Sequence, residues 1–151
     1  MKPTTILTAA LLLAGCAASK IETPPGYQEL DKPYGVDYKA MSSDACAISI
    51  TTVDNPKDAD LDFVADTSRN HVVRSLGYTL KGEQAVQTDS RLAGKEMLFT
   101  HEEAGVERTY LLTVFVRGGM GSKIVRVEAG GESTKFDADL PKVRKAIATL
   151  K

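Results

Sequence analysis

Glu107-Arg108-Thr109-Tyr110-Leu111-Leu112-Thr113-Val114-Phe115-Val116-Arg117 reads as a strand with two apolar faces. Tyr110, Leu112, Val114 and Val116 recur at a period of two on one side, and Leu111, Thr113 and Phe115 on the other. A half-buried strand alternates apolar with polar, so a strand apolar on both sides reads as a central one. The rest of the chain has to supply neighbouring strands, and any helical stripe it carries can be covered by one face of the sheet or by both.

Working back from Glu107, Glu102-Glu103-Ala104-Gly105 is a turn, Lys95 to His101 a strand, and Tyr78 to Leu80, continuing through Val86, another. Before Gly77 the period changes from two to between three and four. Leu61, Val64, Ala65, Ser68, Val72 and Leu76 make one apolar stripe, the mark of an amphipathic helix. Gly77 suits its stop. Asn55-Pro56-Lys57-Asp58 suits its start, with Asn55 as cap, Pro56 at the first helical position and Asp58 in the first turn. Further upstream, Cys46 to Val53 and Gly35 to Ala40 read as strands joined by a turn at Ser42-Ser43-Asp44.

Working forward from Arg117, Gly118-Gly119-Met120-Gly121 turns the chain and Lys123 to Ala129 returns as a strand. Leu140, Val143, Ile147 and Leu150 then mark a C-terminal helix, with Asp139 as cap and Pro141 in its first turn. The order is two strands, a long helix, four strands and a helix. This predicts an α+β domain with an antiparallel sheet of about six strands, from roughly Tyr34 to Lys151.

The N-terminus carries an address. Lys2 precedes a short apolar run from Ile6, which closes on Leu13-Ala14-Gly15-Cys16. A basic start, an apolar stretch and small residues before a cleavage point form a secretory signal. Ending at a cysteine, this one resembles the lipobox of bacterial lipoproteins. The resemblance implies cleavage between Gly15 and Cys16, a diacylglycerol on the Cys16 thiol, and further acyl chains such as palmitate. Residues 1–15 are then a signal peptide, and residues 16–33, polar and with three prolines, a flexible tether. Ala17 follows the cysteine where an aspartate would retain an enteric lipoprotein at the inner membrane. By resemblance to that rule the protein is expected at the outer membrane, facing the periplasm.

Cleavage removes 15 of 151 residues, leaving 136, and with Lys2 gone 18 basic residues stand against 20 acidic. That balance offers no electrostatic reason for nucleic-acid binding or for a polybasic membrane patch. No run after residue 15 approaches the roughly 18 apolar residues of a spanning helix, so membrane affinity falls to the acyl chains.

The domain resembles the PsbP-like sandwich, a fold shared by an extrinsic photosystem II protein, a eukaryotic Ran-binding protein and many small bacterial lipoproteins. The residues carrying the resemblance are Ser43-Asp44, Asn55-Pro56, Gly77-Tyr78, Gly94-Lys95, Tyr110-Leu111 with Val114-Phe115-Val116, and Glu128-Ala129. The sequence departs from the pattern at Ala45, where a glycine would suit a tight Asp-Gly turn better.

Candidate chemistry is sparse. With Cys16 lipidated, Cys46 is the remaining thiol; it opens an apolar run and reads as a buried structural residue. His71 and His101 have no second His or Cys at ligand spacing, although Glu102 and Glu103 adjoin His101. Ser42-Ser43 reads as turn chemistry. Gly118 to Lys123 lacks P-loop spacing and precedes a strand. Asp58, Asp60, Asp62 and Asp66 lack the glycine and glutamate of a calcium loop and instead suit a helix N-terminus. The expected function is non-catalytic: a lipid-anchored envelope protein that binds a protein or assembly partner, with no cofactor. The alternatives are a periplasmic carrier of a small molecule or, less favoured, a hydrolase.

Overall fold

The computed structural model describes residues 18–119 and 121–151; residues 1–17, with the expected signal peptide, cleavage point at Gly15 and lipidation at Cys16, lie outside the described residues. The elements are β1 (Tyr27–Glu29), β2 (Tyr38–Ser42), β3 (Ala47–Asp54), α1 (Leu61–Asn70), β4 (Thr79–Gln87), β5 (Ala93–Glu103), β6 (Val106–Arg117), β7 (Lys123–Glu132) and α2 (Ser133–Ala148). The strands form one antiparallel sheet in the order β1-β2-β3-β7-β6-β5-β4. The fold is α+β, as the pattern of periods predicts.

β6 lies near the middle, and its two faces enter two separate cores. Leu111 and Phe115 pack with Ile48, Ile50, Val125, Val127 and the α2 residues Phe136, Val143 and Ile147. Leu112 and Val114 pack with Met97, Phe99 and the helix residues Val64, Ala65 and Val72. The helices therefore cover opposite faces, giving three layers. Ala104 (φ 51°) and Gly105 (φ 77°) join β5 to β6 in a two-residue turn with Glu103 opposite Val106. Both central residues have positive φ, the twist-matched hairpin geometry.

Several local expectations are corrected. α1 starts at Leu61, capped by Asp60, whose Oδ1 accepts from Phe63 N at 2.8 Å. Asn55 is used elsewhere: buried, it accepts from Ala59 N at 3.0 Å and donates to Ala59 O and Ser122 Oγ. Asp58 at φ 48° is incompatible with a helix there. α1 runs on into a single π-helical turn, His71–Ser75, with Leu76 N bonded to His71 O, five residues back. A residue added to one turn rotates the residues beyond it by about 100°. Val72 stays in the core and Leu76, placed on the stripe by period alone, turns out to solvent.

α2 begins at Ser133, directly after β7, so Asp139 is not its cap and Pro141 lies inside it. An interior proline costs about 3 kcal/mol. Burial of Phe136, Val143, Ala146 and Ile147 on one side outweighs this, at about 1.5–3 kcal/mol for each large side chain. Asp139 accepts from the Tyr27 hydroxyl at 3.0 Å and pairs with Lys142.

Residues 18–33 do not form a free tether. Ser19 and Ile21 are buried, Lys20 and Lys151 exchange backbone hydrogen bonds, and Tyr27–Glu29 adds a seventh strand. The folded part begins by Ser19 rather than near Tyr34. The short polar segment has no period of its own because its few apolar residues, Ile21 and Tyr27, each fill one place in a core made elsewhere.

Ala45 has φ 61°, so the position that would suit glycine is left-handed. Ala45→Gly is expected to stabilise the domain by about 0.5–1 kcal/mol, the relief of strain being offset by greater freedom in the unfolded chain. Urea unfolding reads this as a raised midpoint; an unchanged or lowered midpoint would contradict it.

Candidate functional site

α1 is held to one side of its face of the sheet. Lys95 Nζ on β5 pairs with Asp62 Oδ1 at 2.7 Å, and Arg69 Nη1 pairs with Glu83 Oε2 on β4 at 2.8 Å. The Asp62 partner raises the affinity of the Lys95 amine for its proton, and Glu83 does the same for Arg69. Burial of Val64, Ala65 and Val72 against Met97, Phe99, Leu112 and Val114 seats the helix over β5 and β6, and these surface ties edge it on the β4 side. Among the described residues, the same face of β7, β3, β2 and β1 carries no helix.

Along the free flank of α1 runs a groove of about 330 Å3, open to solvent and lined by Val53, Phe63, Val64, Ile124 and the stem of Arg126. Its floor comes from β3 and β7, where Val53 stands opposite Ile124. Its wall is α1. Phe63 is 63 % exposed and Val53 48 %, so large apolar surface faces water on both sides of it. Asp54, Lys57 and Arg126 are its charged residues; Arg126 Nε is buried with no hydrogen-bond partner among the described residues, and its Nη2 lies 3.9 Å from Glu128 Oε1. Contiguous apolar surface rimmed by polar groups is the signature of an interaction site.

Beyond the π-turn, on the same face, Tyr78 packs on His101 (ring centroids 4.8 Å) and on Tyr110 (5.5 Å). Tyr110 donates to Glu128 Oε1 at 2.6 Å, and burial followed by the Glu128 charge raises its phenol far above the usual range. His101 is thus half-buried against aromatic rings. Its sequence neighbours do not converge on it: Glu103 bonds Arg108 Nε at 2.8 Å, and Glu102 is exposed.

The remaining candidates serve the fold or stand at the surface. Cys46 is fully buried, and burial pushes its thiol above the ordinary value, which disfavours the reactive thiolate. His71 is exposed at the end of α1. Ser42 Oγ accepts from Cys46 N, and Ala45 N donates to Ser42 O, so that pair serves its turn. Of the acidic run, Asp60 caps α1, Asp62 and Asp66 pair with Lys95 and Arg69, and Asp58 sits in a turn. No group of three or more metal-ligating side chains converges among the described residues. Gly118–Gly121 connects β6 to β7; Met120 within it is outside the described residues.

Sequence reasoning missed the groove. One signal was available: Phe63 is the large aromatic residue of α1 lying off its apolar stripe, and a large apolar side chain on the polar side of a helix asks for a partner.

No protein-family model and no curated protein matches the chain. Solved structures match its fold. LpqN of Mycobacterium tuberculosis, described as involved in cell envelope biogenesis, aligns with a TM-score of 0.71 at 10 % identity over 88 % of this chain and 82 % of its own. A Pseudomonas aeruginosa protein described as a putative regulator gives 0.57 at 13 %, over 83 % and 80 %. The Ran-binding protein Mog1p of Saccharomyces cerevisiae gives 0.54 at 10 %, over 89 % of both chains. At these identities the likeness is one of fold. No helix among the described residues is long and apolar enough to cross a membrane.

Proposed function

We propose that the chain is a lipid-anchored envelope protein, acylated at Cys16 and carried to the outer membrane facing the periplasm, whose domain binds a protein partner without catalysing a reaction. The observation that carries the binding reading is the open groove between α1 and the uncovered strands, with Phe63 and Val53 exposed along it. A small-molecule carrier encloses most of its ligand in a cavity; this groove is open along its length, which favours a protein surface. The likeness in fold to a Ran-binding protein and to an envelope-biogenesis protein supports both the PsbP-like sandwich and a binding role.

The test is photo-crosslinking in intact cells from a crosslinker placed at Phe63, with one at half-buried Lys142 on α2, away from the groove, as control. A discrete adduct is expected at residue 63 alone, and Val53→Lys is expected to weaken it at least tenfold. Val53 is solvent-exposed, so that variant should keep wild-type stability within about 0.5 kcal/mol. An adduct at 142 but none at 63 would refute the groove as the binding site.

A further inference from the structure

The packing of Ser19 constrains how the domain sits on its membrane. Ser19 Oγ lies 2.8 Å from Thr52 Oγ1 and accepts from Arg117 Nη1 at 3.1 Å; Thr52 in turn donates to Asp37 Oδ2. Behind it, Ile21 is buried, Glu22 N donates to Thr149 Oγ1, and Lys20 pairs with Lys151. The chain is therefore part of the fold from Ser19 onward. Only three residue steps separate Ser19 from Cys16, and fully extended they span roughly 10–11 Å. A flexible tether over residues 16–33 would instead have a mean reach of about 23 Å, enough to let the domain tumble. The headgroup layer of one leaflet is only about 5–8 Å deep. With acyl chains on Cys16, the domain has no room to turn away.

The end brought to the bilayer is set by topology. Thr52 is near the end of β3 and Arg117 is the last residue of β6. In this antiparallel sheet the β1–β2 loop, the β4–β5 and β6–β7 hairpins and the lead into α1 all emerge at that same end. The first of these carries an independent feature. Val36 N bonds to Pro33 O and Gly35 has φ +83°, a type II turn with Tyr34 at its tip. Tyr34 is fully exposed, the most exposed large apolar side chain among the described residues. Tyrosine rings of this kind, apolar in body and polar at the tip, are enriched at headgroup level. The opposite end carries the β5–β6 hairpin, with Glu102, Glu103 and Glu107 beside its turn, and the β2–β3 turn with Asp44.

We infer that the end of the domain bearing Pro33-Tyr34-Gly35 rests on the lipid headgroups of the anchoring leaflet, with the Tyr34 ring among them and the Glu102–Glu107 hairpin pointing away. This rests on the lipidation of Cys16 proposed above. The bilayer thereby fixes the orientation of the groove, whose long axis runs along α1, and presents its open side laterally to a partner on the same membrane.

The test uses the full acylated protein in vesicles of phosphatidylethanolamine and phosphatidylglycerol doped with a headgroup spin label. Tyr34→Cys and Glu102→Cys are each labelled with a fluorophore; Cys46 is fully buried and stays unlabelled. Quenching at residue 34 is expected to exceed that at 102 at least threefold. Equal quenching, or stronger quenching at 102, on protein whose Cys16 carries acyl mass would overturn the orientation and leave the anchor standing. Mass spectrometry showing an unmodified Cys16 would overturn the anchor, and the orientation with it.

Discussion

Leu112→Asp is expected to leave no folded protein. Leu112 is fully buried in β6, between Met97 on β5 and Glu128 on β7, in the core beneath α1. Truncating a buried leucine alone costs about 2–5 kcal/mol. An unpaired buried carboxylate adds several kcal/mol more. Together these reach the whole stability of an ordinary domain, about 5–15 kcal/mol. Circular dichroism should show no cooperative unfolding transition for Leu112→Asp, whereas Leu112→Ala should unfold cooperatively with its midpoint lowered by about 3 kcal/mol worth of denaturant. A Leu112→Asp domain that melts like wild type would show that the α1 core is not needed for the fold.

Removing Arg144 is expected to have the next largest effect. Glu96 on β5 is buried, its side chain 4 % exposed, and its Oε1 accepts from Arg144 Nε (2.9 Å), Arg144 Nη2 (2.7 Å) and Gln84 Nε2 (2.8 Å). This ion pair ties α2 to the β4–β5 side of the sheet. Breaking a buried pair from one side costs about 3–5 kcal/mol because the remaining charge stays desolvated. Arg144 is 41 % exposed, so water reaches the vacated place and the expected loss for Arg144→Ala falls to about 2–3 kcal/mol. The double variant Glu96→Leu/Arg144→Leu should lie within about 1 kcal/mol of wild type, since apolar residues of similar size replace such pairs without loss. Urea unfolding of both distinguishes a desolvated charge from simple lost packing; equal destabilisation of the two would refute the ion-pair account.

Glu96 illustrates what a linear sequence conceals. It stands in a strand whose alternate residues, Met97 and Phe99, face α1, so period assigns it to the other face without saying that this face is covered there. Its partner lies 48 residues away on α2. Asn55 is a second case. Its type, and Pro56 after it, suit a helix start, but the hairpin residue Ser122, 67 positions on, competes for its amide and leaves Asp60 to cap α1.

What the sequence determined by itself was the set of elements and their order, while the placing of the two helices on opposite faces of the sheet came with the tertiary structure. The two apolar faces of Glu107–Arg117 mark a central strand, the Leu61–Val72 stripe and the Val143–Ile147 pair mark two helices, and Gly77 ends the first of them at φ +74°. These are short-range patterns, in which burial imposes its period on neighbouring residues. Tertiary structure decided what short range could not: the π-turn that rotates Leu76 outward, the extension of α2 through Pro141, the seating of Ser19 and Ile21, and the lateral placement of α1 that opens the groove. Each depends on an energy from distant contacts, namely a core that outweighs an interior proline, hydroxyls and an arginine that meet only after folding, and the apolar side chains of β5 and β6 that seat the buried face of α1. A side chain's period is written in its neighbours along the chain, but its cover is supplied by residues the chain brings back from far away.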